Sequence, residues 1–212
     1  MSSKNTYRVG TDGTANFSTL DVIPTSILTQ GDTSILLYPG TYTAPINVAW
    51  SDLAIIGMGD REEIIINGDM SLANTSSGNI TAENITFIGS NATATSGTSC
   101  VTKLGAAATK LQFSRCVFSN AEHAVSHNAE LATVGTATQL VLDFCDATGV
   151  DQAIVANANV SVNYSALNTS ANAYFQPGTG GGAAELTVTV RASTSGGANT
   201  GNNTETVLAL IS

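Results

Sequence analysis

The sequence predicts an all-β protein built as a single-stranded parallel β-helix that ends in a C-terminal β-hairpin or cap. Two observations carry this prediction: apolar residues recur at one fixed spacing, and short apolar runs follow one another with no helical segment between them. Two such runs, Ile35–Tyr38 and Leu53–Ile56, lie within the first 60 residues, and each ends at a glycine-bearing corner. Strands that recur so soon are expected to pair with the turns of chain above and below them.

The recurring spacing places apolar or small residues at i, i+2, i+5 and i+7 in four segments. The segments start at Ile80, Leu111, Leu140 and Val160. Because side chains in a strand alternate between its faces, the step of three marks a corner between two short strands. We therefore expect these four residues to stack as an interior ladder, one per coil, about 4.8 Å apart. The polar corners are Glu83-Asn84, Ser114-Arg115, Asp143-Phe144 and Asn163-Tyr164.

An antiparallel sandwich or jelly roll also uses many short strands with glycine-rich turns. Such folds are typically marked by two-residue hairpin signals, and few of these occur in the chain. The spacing therefore favours the parallel β-helix.

Strict alternation of apolar residues returns near the end of the chain, in "ELTVTVRAS" and "TETVLALIS". These segments flank the Gly/Asn-rich stretch "TSGGANTGNN" and follow "QPGTGGG", which predicts a long-looped hairpin after a hinge. We expect residues 1–170 to form the β-helix domain and residues 171–212 a hairpin, cap or oligomerisation segment. A possible assembly contact is formed by Val207, Leu208, Leu210 and Ile211.

Composition narrows the partners and the compartment. Charged residues make up 11% of the chain and the net charge is −9 with no basic stripe, so nucleic acid is not an expected partner. No stretch has the length of a bilayer span and the N-terminus lacks a secretory apolar segment, which predicts synthesis in a cytosol and no membrane partner. The widely spaced Cys100, Cys116 and Cys145 contain no CxxC pair and are interpreted as small buried hydrophobes.

The N-terminal third carries a family resemblance in "YRVGTDGTANFSTLDV", "SILLYPGTYTAPINV" and "SDLAIIGMGD". These segments resemble the opening coils of pectin-lyase-like β-helix proteins, pectin methylesterases in particular. The resemblance implies a right-handed coil, and it specifies a fold rather than a reaction. The matching residues are Val9, Asp12, Gly13, Phe17, Thr19, Leu20, Ile35, Leu37, Gly40, Tyr42, Leu53, Ile55, Gly57 and Gly59.

The catalytic motifs of that family are missing. Of the Q-D-T-L, D-F-I-F-G and G-R-P-W-like motifs of pectin methylesterases, only Asp143-Phe144 has a counterpart here. Pectate lyases use an acidic calcium site with an arginine base, and no such site is predicted for this chain. The chain is therefore predicted not to be an enzyme and to have no catalytic, cofactor-binding or metal-binding residues. The arginines are Arg8, Arg61, Arg115 and Arg191.

Two carboxylate pairs stay open as candidates for a glycosidase-like acid pair. They are Asp143 with Asp146, and Glu122 with Glu130. Single acidic residues at bends are more often solvated turn residues, and this is the interpretation we favour.

The histidines and early aromatic residues each have a functional and a structural interpretation. His123 and His127 would share one face of a helix and hold a divalent metal, but HExxH is absent and in a loop the spacing has no such meaning. We expect neither histidine to bind a metal or to contribute to stability. Tyr38, Tyr42 and Trp50 form either a sugar-stacking strip or, as favoured, a plug in which Trp50 closes the start of the stack.

A sparsely charged β-helix made in a cytosol resembles the structural proteins of tailed bacteriophages. The resemblance implies a non-catalytic virion protein: a capsid decoration or cement protein, or a component of a fibre or spike. Flat, weakly charged sides favour self-association, so a homotrimer bound to capsid or tail proteins is expected, without cofactors. The alternatives are a carbohydrate-active β-helix enzyme such as a polysaccharide depolymerase, or a sugar-binding adhesin module, with host surface polysaccharide as the partner.

Overall fold

The computed structural model describes residues 5–11, 13–91, 98–103, 109–127, 139–156, 159–163, 165–169, 175–177, 188–191, 194–195 and 205–208. Apart from one short α-helix and one 3-10 helix, Arg61–Glu63, the described elements are strands. Their bounds are β1 Asn5–Val9, α1 Thr25–Leu28, β2 Thr33–Leu37, β3 Gly40–Thr43, β4 Ser51–Gly57, β5 Ile64–Asn67, β6 Met70–Leu72, β7 Ser77–Glu83, β8 Thr86–Asn91, β9 Ser99–Lys103, β10 Thr109–Ser114, β11 Val117–His127, β12 Gln139–Asp143, β13 Asp146–Ala156, β14 Asn159–Asn163, β15 Ala166–Thr169, β16 Phe175–Pro177, β17 Val188–Arg191, β18 Thr194–Ser195 and β19 Glu205–Leu208.

The strands form two long parallel sheets. Sheet A has the order β1-β2-β4-β7-β10-β12-β14-β17-β19, and sheet B has the order β3-β5-β8-β11-β13-β15-β18. The helix has a third side, called side C. On this side the C-terminal half of β11 pairs with β9 and with the C-terminal half of β13, which in turn pairs with β16. Strand β6 pairs with β9 and extends side C by one more strand. The chain thus passes from sheet A to sheet B in each coil, and the predicted right-handed parallel β-helix is confirmed.

The corner between sheets A and B has a left-handed backbone. Asn84, Arg115 and Phe144 have φ values of 60°, 54° and 54° in successive coils. This bend lets two residues three apart in sequence both face the interior, which is the origin of the odd step in the repeat. All sixteen apolar or small positions of the four repeats are buried.

The four residues that start the repeats lie in register across β7, β10, β12 and β14. Ile80 is opposite Leu111, Leu111 opposite Leu140, and Leu140 opposite Val160. All four are buried and lie on parallel strands. A column of like residues therefore runs along the interior.

The core between the sheets contains a cluster of three phenylalanines. The rings of Phe87 and Phe118 stack at a centroid distance of 5.3 Å, and Phe113 meets both edge-on. Such geometries are favourable for aromatic rings and add to the burial of their area. The three cysteines lie buried and unpaired around this core, as predicted, and burial raises the pKa of the Cys100 thiol to about 12.

The early aromatic residues lie mainly inside the coil. Trp50 and Tyr42 are each 3% exposed, and the Tyr42 hydroxyl donates a hydrogen bond of 2.6 Å to the Tyr38 carbonyl oxygen. Trp50 lines an interior cavity together with Met70 and Phe87. An exposed sugar-stacking strip is therefore not formed by Trp50 and Tyr42.

The C-terminal strands differ from the expected hairpin. β17 pairs with both β14 and β19, and both pairings are parallel, with Val188 opposite Glu205. A long glycine-rich connection allows the chain to return to the same end of the sheet, so the second strand continues the helix instead of folding back. The cap role and the division at residue 170 remain predictions; Leu210 and Ile211 lie outside the described residues.

Among the described residues, no helix has the length and apolar character needed to span a membrane.

Candidate functional site

An open cleft lies on the outside of the helix, at the corner between sheets A and B. We call it the corner cleft, and its lining is contributed by the 3-10 helix, by the left-handed corners and by the start of β13. The stacking of coils brings these short segments together although they are distant in sequence. The lining residues are Asp60, Arg61, Glu62, Asn84, Arg115, Phe144 and Asp146.

Arg61 ties the 3-10 helix to a coil much later in the chain. Its Nη2 donates to Asp146 Oδ2 at 2.6 Å and its Nε to Glu62 Oε1 at 3.0 Å. Burial lowers the pKa of Arg61, but the hydrogen bonds to Glu62 and Asp146 outweigh this effect and leave the pKa above its ordinary value. A backbone hydrogen bond and the contact with Arg61 hold the pKa of Glu62 below its ordinary value.

Arg115 forms a second ion pair at the same corner. Its guanidinium contacts the carboxylate of Glu83, which lies in register with Ser114 on the adjacent strand. Both arginines of the cleft are thus held by carboxylates from other coils. Ion pairs at this exposure add little to stability, and their main effect here is to fix the positions of the side chains.

Asn84 is a residue type that suits the left-handed backbone of the corner. Asparagine tolerates positive φ better than most residues, and the Asn84 side-chain nitrogen donates to the carbonyl oxygens of Gly57 and Gly59 at 3.2 and 2.6 Å. A Cβ at position 57 would collide with the Asn84 carbonyl oxygen, so the close approach of the two coils requires glycine there.

Phe144 occupies the equivalent corner two coils later and differs from Asn84 in both chemistry and exposure. It is 56% exposed and its φ is 54°, a combination that is unfavourable for a bulky side chain. Its backbone N–H donates to the Asn163 carbonyl oxygen at 2.9 Å, as the corner geometry demands. An aromatic ring is therefore presented to solvent at a position that does not favour it.

The open acid pair Asp143 and Asp146 flanks Phe144, but the two carboxylates have separate partners. Asp143 lies on the outer face of sheet A and accepts hydrogen bonds from Asn163 Nδ2 at 2.6 Å and Gln112 Nε2 at 3.4 Å. Asp146 lies at the start of β13 and binds Arg61. The second candidate pair, Glu122 with Glu130, is not tested, because Glu130 lies outside the described residues.

The two histidines lie on strand β11 rather than on a helix or loop. Glu122 Oε1 is 3.7 Å from His123 Nε2, and Ser99 Oγ is 3.4 Å from His123 Nδ1. Both distances are longer than those of a good hydrogen bond, about 2.7–3.2 Å, so these side chains do not form a tight proton relay. Within the described part of the chain, no group of three or more His, Cys, Asp or Glu side chains is placed to hold a metal ion.

His127 is fully buried, which corrects the expectation that it behaves as a surface residue. It lies in register with Lys103 of β9, and both occupy the interior column of side C that continues from Leu72 to Ala156. Neither ring nitrogen of His127 has a hydrogen-bond partner among the residues that the structure describes. Burial and the charge of Lys103 lower the pKa of His127 to about 3, and burial lowers the pKa of Lys103 to about 8.

Comparison with known proteins adds a likeness in fold. No known family model and no curated protein sequence matches the chain. The structure is similar to that of a pectin methylesterase from Aspergillus niger, at 13% identity over 99% of this chain and 92% of that chain, with a TM-score of 0.45. It is also similar to a pectin methylesterase from carrot, at 13% identity over 96% of this chain and 88% of that chain, with a TM-score of 0.43.

The prediction that the chain is not an enzyme is withdrawn, since the two similar structures are those of enzymes. At this identity and these TM-scores, the likeness assigns no reaction to the chain. The expected phage origin finds no support in these comparisons and stays a prediction.

Proposed function

We propose that the protein binds a polysaccharide along the corner cleft and that Phe144 is the platform on which a sugar ring stacks. The observation that carries this proposal is the exposed ring of Phe144 at a left-handed corner. A bulky residue in this conformation costs about 1–2 kcal/mol, and such strain concentrates at functional sites. Asn84, at the same position two coils earlier, is the residue type that the fold alone would favour there.

The neighbours of Phe144 are suited to the hydroxyl groups of a sugar. Carboxylates accept hydrogen bonds and guanidinium groups donate them, and the cleft presents both kinds around the ring. The ion pair between Arg61 and Asp146 fixes two of these groups before a ligand arrives, which reduces the entropy lost on binding.

The repetition of the coils extends this surface along the helix axis. Glu83, Ser114, Asp143 and Asn163 lie in register on successive strands, so a row of polar side chains runs beside the cleft with one residue per coil. The spacing of about 4.8 Å between coils is close to the length of one sugar unit, so an extended glycan would meet one polar side chain at each step.

The test compares two exposed apolar residues, one inside the cleft and one outside it. Phe144→Asn keeps a residue that suits positive φ but removes the ring, and Ile46→Asn removes a 75% exposed apolar side chain elsewhere. Affinity electrophoresis or calorimetry against a panel of polysaccharides should show binding that Phe144→Asn weakens about tenfold or more and Ile46→Asn leaves unchanged. Equal losses in both variants, or no binding to any polysaccharide, would contradict the proposal.

A role in a phage virion remains a second proposal, as a decoration, fibre or spike protein made in the host cytoplasm and bound as a homotrimer to capsid or tail proteins. The observation in its favour is β19, which contains Val207 and Leu208 and is the terminal strand of sheet A among the described residues. The open side of a terminal strand can pair with another chain. Light scattering should give a trimer that loses association when residues 204–212 are deleted, and a strictly monomeric full-length protein would rule it out.

A further inference from the structure

The charge of the corner cleft narrows the class of glycan that it can accept. Three lining carboxylates, Asp60, Glu62 and Asp146, lie with two guanidiniums, Arg61 and Arg115. Among the lining residues alone, negatively charged side chains therefore outnumber positively charged ones.

Neither arginine is available to a new anion without a competing carboxylate. Arg61 is bound by Asp146 and Glu62, and Arg115 is bound by Glu83. A carboxylated or sulfated sugar would have to displace one of these internal partners and leave that carboxylate beside it. Such an exchange gains no net charge interaction.

Phe144 itself is flanked by negative charge. Asp143 precedes it and is hydrogen-bonded by the amides of Asn163 and Gln112, which are neutral and leave its charge in place. Asp146 follows it. The face of an aromatic ring is also negative and attracts the C–H groups of an uncharged sugar more than an anion.

Four further basic residues belong to the described strands, and none of them lines the cleft. Arg191 of β17 lies in register with Asn163, two coils beyond Asp143. Lys110 is on β10 at the end of the strand away from the corner, Arg8 is on β1, and Lys103 is buried. The whole chain has a net charge of −9, which repels polyanions at long range.

We infer that the glycan bound at the corner cleft is uncharged and that polyanionic glycans are excluded. This inference rests on the proposed function, since it names the class of ligand for the same site. A binding site for acidic polysaccharides would instead require unpaired arginine or lysine side chains facing the sugar.

The experiment uses pairs of polysaccharides that share a backbone and differ in charge. Dextran is compared with carboxymethyl dextran, and hydroxyethyl cellulose with carboxymethyl cellulose, by affinity electrophoresis at low ionic strength. We expect a neutral member to bind and its carboxymethyl partner to bind at least about tenfold more weakly, with a difference that shrinks as salt is added. The double variant Asp60→Asn/Glu62→Gln should bind the carboxymethyl partner more tightly than the wild type does.

A matched control removes two exposed carboxylates that do not line the cleft, Asp21→Asn and Asp32→Asn. It changes the total charge by the same amount as the double variant and should leave the discrimination between the paired polysaccharides intact. Equal or tighter binding of a carboxymethyl derivative by the wild type overturns the inference and leaves glycan binding standing. Absence of binding to both members of every pair, at low and high salt, overturns the proposed function as well.

Discussion

The outer corner at Phe144 and the interior of side C at Lys103 and His127 both break the pattern of the coil, in opposite ways. Outside, an apolar ring is exposed where the backbone favours asparagine; inside, two titratable side chains occupy a column that is otherwise apolar. The exposed ring of Phe144 costs only backbone strain, because water still solvates its surroundings. Burial of Lys103 and His127 carries a desolvation free energy, which for a charged group is larger than the backbone strain of one residue. The fold therefore tolerates an exposed apolar ring at its corners more readily than titratable side chains in its core.

The largest expected effect is acid destabilisation through His127. Its folded pKa is about 3 and its ordinary value is 6.5, so the unfolded chain takes up this proton first as pH falls. Stability is lost from about pH 6.5 down to about pH 3, on the order of 1.4 kcal/mol per pH unit. Urea unfolding at pH 7, 5 and 4 should show a shallower loss in His127→Leu than in the wild type.

His123→Gln is the matched control, because it changes the other histidine of the same strand. A shallower loss in His127→Leu that His123→Gln does not share would assign the effect to the buried ring of His127. An unchanged pH dependence in His127→Leu would show that the carboxylates alone govern acid unfolding and that the interior of side C is no different from the exterior.

The next effect concerns Lys103. Burial lowers its folded pKa to about 8 from 10.5, so below about pH 8 the folded state carries an unfavourably buried charge, and this penalty is relieved as pH rises toward 10.5. Lys103→Met should raise the free energy of unfolding at pH 7 by about 1–3 kcal/mol. Lys110→Met, on the outer face of sheet A, should stay within about 0.5 kcal/mol of the wild type. A destabilised Lys103→Met would mean that the contacts of this ammonium outweigh its desolvation.

A smaller loss is expected at the corner of Asn84. Asn84→Ala removes the hydrogen bonds to Gly57 and Gly59 and leaves an ill-suited residue at positive φ. The free energy of unfolding should fall by about 1–2 kcal/mol, measured from the urea midpoint. Asn84→Gly separates the two causes, since it restores the conformational freedom without the hydrogen bonds. Equal stability of all three proteins would show that the corner imposes no constraint.

The smallest effect on stability is expected for Phe144→Gly. Relief of the left-handed strain offsets the loss of an exposed side chain, so the free energy of unfolding should be unchanged or rise by up to about 1 kcal/mol. Glycan binding should be lost in the same variant. A loss of more than about 1 kcal/mol would show that Phe144 supports the fold, and the contrast between corner and core would then weaken.

The sequence predicted the interior positions of four coils, because Ile80 and its counterparts recur at a spacing that only a strand, a bend and a strand can satisfy. It predicted the corner at Asp143-Phe144 for the same reason. It did not predict that Arg61 meets Asp146, since the two residues are 85 positions apart and only the stacking of coils brings them together. The prediction of a C-terminal hairpin was wrong, because the alternation of apolar residues indicates a strand but not the direction in which that strand pairs.

The burial of His127 also escaped sequence reasoning, for a local reason. Strand β11 extends from Val117 to His127 and bends at Asn120, which has a φ of 56°. After that bend the buried positions are Ala121, Ala124, Val125 and His127, so no regular alternation indicates which side chains point inward. Val125, two residues before His127 and also fully buried, is the large apolar residue of this segment that indicates a continuation of the strand into the core.

The ladder from Ile80 to Val160 also bears on how the chain folds. Its consecutive partners are 31, 29 and 20 residues apart in sequence, and each strand pairs only with the coils immediately before and after it. The loop-closure entropy of adding a coil is therefore set by the length of that coil and does not grow with the number already formed. Once a nucleus of neighbouring coils exists, each completed coil serves as the template for the next, and folding advances along the helix axis.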